Sequence, residues 1–294
     1  MKSSPKVFRR PLQPIPDTFE EFLNLARKFN EDDPLNAFNS ISGLKLVGPF
    51  EILDGVLDHA TDDELRLHWR FPNDLPEMQT CAVFEGGRFC IWRDEPDTNN
   101  SFIVTIPGNG DEFFAEITVL GEHPCCMLFH LNASSAFFPK NMKKNDFQDD
   151  EKRIKSERIK KRVALPLHGA EGPGIVVPVK NGIGYRPILT PNAHIKHMFL
   201  TIATTTNEKE REKLMGSVRE MLSLIQMADD EMDFGMGLEL GHDCFMANAP
   251  RLDKVTKLLL AKAYELLGRK EYGEIVRIQF VDGNRRRENL SILV

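Results

Sequence analysis

The chain has 294 residues, 41% hydrophobic and 28% charged, with a net charge of −6. That composition belongs to folded soluble proteins and the length allows two packed lobes, while the acidic balance argues against broad coating of nucleic acid. No run approaches the roughly 18 apolar residues of a membrane span and the N-terminus lacks the apolar core of a secretory signal, so an intracellular protein is expected.

Cys81, Cys90, Cys125, Cys126 and Cys244 are an odd set without C-x-x-C spacing, which favours buried reduced thiols over a disulfide framework or a zinc site. Residues 1–16 carry Pro5, Pro11, Pro14 and Pro16 and read as an extended N-terminal segment. Residues 17–139 read as an α+β lobe. Thr18-Phe-Glu-Glu21 has the spacing of a capping box and opens a short amphipathic helix through Phe29. Leu65, Leu67, Trp69 and Phe71 alternate with polar residues, which predicts a half-buried strand. Runs around Gly86-Gly87 and around Pro107-Gly-Asn-Gly110 predict two hairpins, hence a largely antiparallel sheet with helices on one side.

Residues 140–165 are a charged linker or helix. From Lys140 to Arg162 there are ten Lys/Arg against five Asp/Glu, a local +5 that leaves −11 elsewhere. Only Ile154 and Ile159 are branched aliphatics there, so a solvated linker leads, followed by nuclear targeting through Lys160-Lys-Arg162. Without interleaved aromatics, strong direct binding of nucleic acid is not expected. Residues 166–294 read as a second lobe, a β-hairpin plus helices. Asn181-Gly182 between apolar runs marks the hairpin, and Tyr185 and Arg186 stand on its edge before Pro187, an aromatic-arginine pair that suits a contact hot spot. Helical stripes follow through Ile202 and from Leu214 to Ala228, and Leu252 to Leu267 is helical again, closed by Gly268. The last residues, from Asn284, read as irregular and exposed.

The helix ending at Ala228 delivers Asp229, Asp230, Glu231 and Asp233, and then Gly235, Gly237 and Gly241 punctuate an apolar run. The bland reading is a solvated helix end followed by a buried strand. The chemical reading starts from repulsion: carboxylates crowded at the negative end of a helix dipole should hold protons more tightly, which suits general-base work, and Glu231 is the natural candidate. A calcium loop starting at Asp229 fails, because Phe234 and Leu240 occupy its glycine and glutamate positions. His242 and Asp243 lack the spacing of a transition-metal site. There is no G-x-S-x-G, P-loop or dinucleotide fingerprint. A base without a cofactor site suggests a site completed by another protein.

At Val176-Val-Pro-Val179, Asn181-Gly-Ile-Gly-Tyr-Arg186, Asp230-Glu-Met-Asp-Phe-Gly-Met-Gly-Leu-Glu-Leu-Gly241 and Leu252-Asp-Lys-Val255 the chain resembles the histone PARylation factor family, accessory factors of DNA-damage-activated poly(ADP-ribose) polymerases. The resemblance implies that Glu231 is the catalytic carboxylate that deprotonates an acceptor serine beside the polymerase's NAD site, with Asp230 its acidic neighbour. It implies that Tyr185 and Arg186 dock on the polymerase catalytic domain, the arginine receiving its C-terminal end, and that Asp233 and Lys254 lie around that interface. It further implies a monomer that binds no NAD or metal itself, is inactive alone, and serves serine ADP-ribosylation of histones in the nucleus, on chromatin at DNA damage sites. Met232 and Phe234 stand where the family is expected to carry Cys and Tyr. A chromatin adaptor recruiting histones, with a structural Glu231, is the alternative, and an autonomous metal-dependent hydrolase is a third class.

Overall fold

The computed structural model describes residues 11–140 and 142–293. Residues 1–10 of the expected extended segment therefore lie outside the described residues, while 11–16 are non-helical and lie against the body, with Gln13 buried and the Pro14 carbonyl accepting from Arg93 at 2.6 Å. The architecture is α+β, built on a five-stranded antiparallel sheet in the order β1 (Lys45–Leu46), β2 (Met78–Phe84), β3 (Gly87–Trp92), β4 (Phe102–Pro107) and β5 (Thr118–Gly121). The turn at Gly86 joins β2 to β3 as expected, whereas β4 reaches β5 through residues 108–117 rather than a tight turn.

Side chains alternate across the strands, and both sets are buried. Phe89, Ile91 and Ile103 face a core with α1 (Asp17–Phe29), α2 (Pro49–Leu53) and α4 (Cys125–His130), whereas Cys90, Trp92, Val104 and Ile106 face the C-terminal helices. Helices thus cover both faces, not one, and the sheet is the middle layer. All five thiols are buried and unpaired.

Three local expectations change. Helix α1 starts at Asp17 behind Pro16 without a side-chain cap, and the buried Thr18 hydroxyl finds no partner among the described residues. Leu65 to Phe71 is no strand. Thr61 and Glu64 form a capping box that opens α3 (Asp62–Leu67), and Trp69, at φ 51°, turns the chain, so period two arose from a short helix running into a turn. The basic stretch takes its helical alternative, α5 (Lys144–Lys161), packed on β5 through a seam of Phe147, Ile154 and Arg158. Arg158 is buried, pairs with Asp94 and donates to the carbonyls of Pro173 (2.9 Å) and Gly174 (3.1 Å).

In the C-terminal half the hairpin contracts to its turn. Asn181 and Gly182 both have positive φ and close one bridge between Lys180 and Ile183, while the prolines at 178 and 187 have no N–H for a longer ladder. Helices α6 (Asn192–Thr204), α7 (Glu208–Asp230), α8 (Gly235–Met246), α9 (Asp253–Leu266) and α10 (Lys270–Gln279) follow. The glycine-rich stretch is α8, a helix buried along its whole length, not a strand. Gly241 explains one of its glycines, since a Cβ there would lie 2.6 Å from Leu260 of α9. The final residues are irregular but anchored. Arg285 is buried, pairs with Asp253 and donates to the Phe245 carbonyl at 2.9 Å, and the Leu290 carbonyl accepts from Trp69. Among the described residues no helix is long and apolar enough to cross a membrane.

Candidate functional site

Helix α7 ends in a Schellman motif. The amide of Asp233 donates to Ala228 (2.8 Å) and that of Met232 to Asp229 (3.0 Å), with Met232 at φ 66° where glycine is usual. The motif sorts the carboxylates. Asp230 and Glu231 remain exposed, Asp233 is folded inward, and Asp229 is partly buried, which pushes its pKa up, a rise that Lys262 counters and Asp230 reinforces.

Asp233 faces inward because it holds the neighbouring edge. Its Oδ1 accepts from the amide of Gly184 at 2.8 Å, and the amide of Gly235 returns a bond to the Gly184 carbonyl at 3.0 Å. Gly184 sits at φ 130°, and a Cβ there would lie 2.1 Å from the Pro178 carbonyl oxygen, so this approach of two backbones requires glycine. The stitch places Arg186 over the end of α7, where its guanidinium pairs with Glu231 and, at 3.1 Å, with Asp233. The crowding expected among like charges is thus offset by one cation. Tyr185 turns the other way, half-buried, its hydroxyl donating to Glu239 of α8 at 3.0 Å.

Tyr185, Arg186, Glu231 and Asp233 therefore form one connected cluster. Asp230 is adjacent but makes no ion pair among the described residues. Lys254 is exposed on the first turn of α9 and likewise makes none. Asp229, Asp230 and Lys262 line a groove of about 460 Å³ over Ile225, Leu258 and Leu259, between α7, α8 and α9. His242 and Asp243, weighed as metal ligands, have separate partners: His242 faces His168 (3.1 Å) and Glu77 (3.2 Å), and Asp243 accepts the amide of Leu167 (2.8 Å).

Two functional-looking groups escape the sequence reading. Glu239 is buried in the apolar first half of α8, and burial, opposed by bonds from Tyr185 and the Ile188 amide, pushes its pKa up to about 7. A lone carboxylate inside Gly-Met-Gly-Leu-Glu-Leu-Gly was the available signal. The buried set of Glu77, His168, His242 and Tyr264 joins residues far apart in sequence, and no local pattern announces it.

Chemically, the cluster offers one accessible carboxylate with a guanidinium beside it. Glu231 keeps 61% of its side-chain surface against 9% for Asp233. Large apolar side chains are exposed on the same segments: Met227 and Met232 beside Glu231, Ile183 and Leu189 beside Arg186, Leu258 on the groove. Exposed apolar groups around polar ones are characteristic of an interaction surface.

A family profile described as Histone PARylation factor 1 matches residues 2–282. Histone PARylation factor 1 of Danio rerio is 33% identical over 304 aligned positions, covering 95% of this chain and 84% of the relative. The Mus musculus protein of the same name is 31% identical over 95% and 86%, and a Homo sapiens protein named putative histone PARylation factor 1-like is 30% identical over 94% and 85%.

Proposed function

The chain belongs to the histone PARylation factor 1 family, and from that membership we propose that it binds a poly(ADP-ribose) polymerase and completes its active site for serine ADP-ribosylation, chiefly of histones. The observation that supports this reading best is Glu231: an exposed carboxylate on a helix end, paired with Arg186, which Asp233 also holds, and bordered by exposed apolar side chains. In the proposed complex the polymerase binds NAD, and this chain supplies the proton acceptor. A serine hydroxyl attacks the ADP-ribose carbon poorly until its proton is taken, and a positioned base contributes ~10² to 10⁴ in rate.

Each cluster member takes a role in that proposal. Arg186 meets the polymerase's C-terminal carboxylate, which competes for the guanidinium and frees Glu231 to act. Tyr185 contributes ring surface to the contact, Asp233 holds the edge that carries both and with Lys254 borders the interface, and Asp230 stands beside Glu231 in the catalytic site. The setting is nuclear, on chromatin at DNA damage sites, with the chain as a monomer inactive alone.

One observation favours a second reading. Glu231 is the ion-pair partner of Arg186, so it could serve only to hold a docking arginine in a histone-binding chromatin adaptor. The test is a reconstituted reaction of polymerase, NAD and a serine-containing histone peptide. The proposal expects serine modification with this chain and none without it. Equal modification in both would leave the adaptor reading.

A further inference from the structure

A carboxylate inside a buried helix is costly unless its hydrogen bonds are satisfied. Glu239 meets that condition through residues 184–188 of the docking edge, since Tyr185 donates its hydroxyl and Ile188 its backbone amide. Asp233 takes the amide of Gly184. The five residues around Arg186 are thus held at both ends by acidic side chains from α8 and its lead-in. The edge is also pressed onto the start of α8, because a Cβ on Gly235 would lie 2.9 Å from both Tyr185 Cδ2 and Val177 Cγ2.

We propose that Glu239 is a positioning residue that fixes the Tyr185–Arg186 edge in its docking geometry; this rests on the reading of that edge as the polymerase contact. Residues 184–188 belong to no strand and Pro187 donates no bond, so the edge relies on side-chain and cross-segment ties: Gly184 to Asp233 and Gly235, Arg186 to Glu231 and Asp233, and Tyr185 to Glu239. Glu239 acts through Tyr185 and Ile188, not on substrate. Its ionisation lies near neutrality, and the titratable groups that share its surroundings are Tyr185 on the edge and Asp243 one turn along α8, both also raised chiefly by burial.

The test uses the full chain and the polymerase catalytic domain. Amide hydrogen exchange of residues 184–188 in the free chain is measured beside affinity for the polymerase. Glu239→Ala is expected to speed exchange at Gly184 to Ile188 and weaken binding by about tenfold or more, the value of a hydrogen bond to a charged group. Glu239→Gln, which can accept from Ile188 and donate to Tyr185, is expected to restore both to within about threefold, as one weaker neutral bond requires. Tyr185→Phe, removing only the hydroxyl, reports on the same bond should Glu239→Ala fail to fold, and should loosen the edge. Unchanged exchange in Tyr185→Phe and Glu239→Ala would overturn the proposal, as would wild-type affinity in Glu239→Ala when Arg186→Ala has lost binding. Wild-type affinity in Arg186→Ala would instead overturn the docking reading, while the exchange rates still decide whether Glu239 holds the edge.

Discussion

The chain concentrates charge twice, in helix α5 and at the end of α7, and the two places use it in opposite ways. Along α5 the charges answer one another. Lys155 pairs with Glu151 at 2.7 Å and Arg153 with Glu157 at 3.0 Å, while Arg158 turns inward to brace the fold. At the end of α7 there are four carboxylates, and among the described residues the one cation paired with any of them is Arg186, which meets Glu231 and Asp233 and comes from another segment. Arg153 and Lys155 reach Glu122 and Glu171 outside the helix as well, and a run whose cations find more than one carboxylate or carbonyl is scaffolding. A charge cluster completed from elsewhere in the chain is a place where another molecule can enter the balance.

The largest effect on folding should come from α5. Arg158→Ala removes the donor to the carbonyls of Pro173 and Gly174 and the ion-pair partner of Asp94, which keeps the Trp92 indole N–H at 3.1 Å, and a loss of about 3 kcal/mol is expected in denaturant unfolding. A loss below about 1 kcal/mol would remove the distinction between brace and decoration.

Glu239 should come next, and its effect depends on pH. Its folded pKa, about 7, stands above its ordinary 4.5. Below 4.5 both folded and unfolded chains hold the proton and the group contributes nothing. Between 4.5 and 7 the unfolded chain ionises first, so stability falls as pH rises, by up to about 3 kcal/mol, and levels off above 7. The difference in unfolding free energy between Glu239→Gln and the parent chain should therefore grow in the variant's favour from pH 5 to pH 8. A flat difference would mean that the carboxylate is better solvated than its burial implies.

A smaller effect separates two helix ends built alike. Helix α9 closes with the same motif as α7, Arg269 donating to Tyr264 and Gly268 to Glu265, but with glycine at φ 71° where α7 has Met232 at φ 66°. Met232→Gly should stabilise the chain by about 1 kcal/mol in thermal unfolding, because a left-handed conformation disfavours any residue with a Cβ. The smallest effect is expected on α5, where Glu151→Ala breaks a partly exposed pair whose Lys155 keeps Glu171, and should change stability by less than about 1 kcal/mol.

Much of this was legible in the residues, and the failures have physical causes. Gly86 and the apolar runs beside it announced the central hairpin, and the stripe from Leu214 to Ala228 announced α7. The segment Leu65–Phe71 misled because six helical residues are too few to display a period of 3.6, although Thr61 and Glu64 carried the capping signal. Helix α8 misled for a related reason: buried on all sides, it has no solvent-exposed face, and its glycines, present for close packing as at Gly241, look like breakers. At the site, Tyr185, Arg186, Asp230, Glu231, Asp233 and Lys254 could be singled out from local pattern and resemblance. The pairing of Arg186 with Glu231 spans 45 residues, and the support from Glu239 is tertiary, so neither had a local signature.

The central claim is that the exposed carboxylate at the end of α7 is a base and not merely the partner of a docking arginine. The most direct measurement is the serine-modification rate of the reconstituted polymerase reaction with Glu231→Gln at saturating concentration, with polymerase affinity measured on the same preparation. Affinity within about tenfold of the parent chain is expected, the cost of at most one hydrogen bond, with a rate lowered ~10² to 10⁴-fold. Bound Glu231→Gln that sustains the parental rate would contradict it.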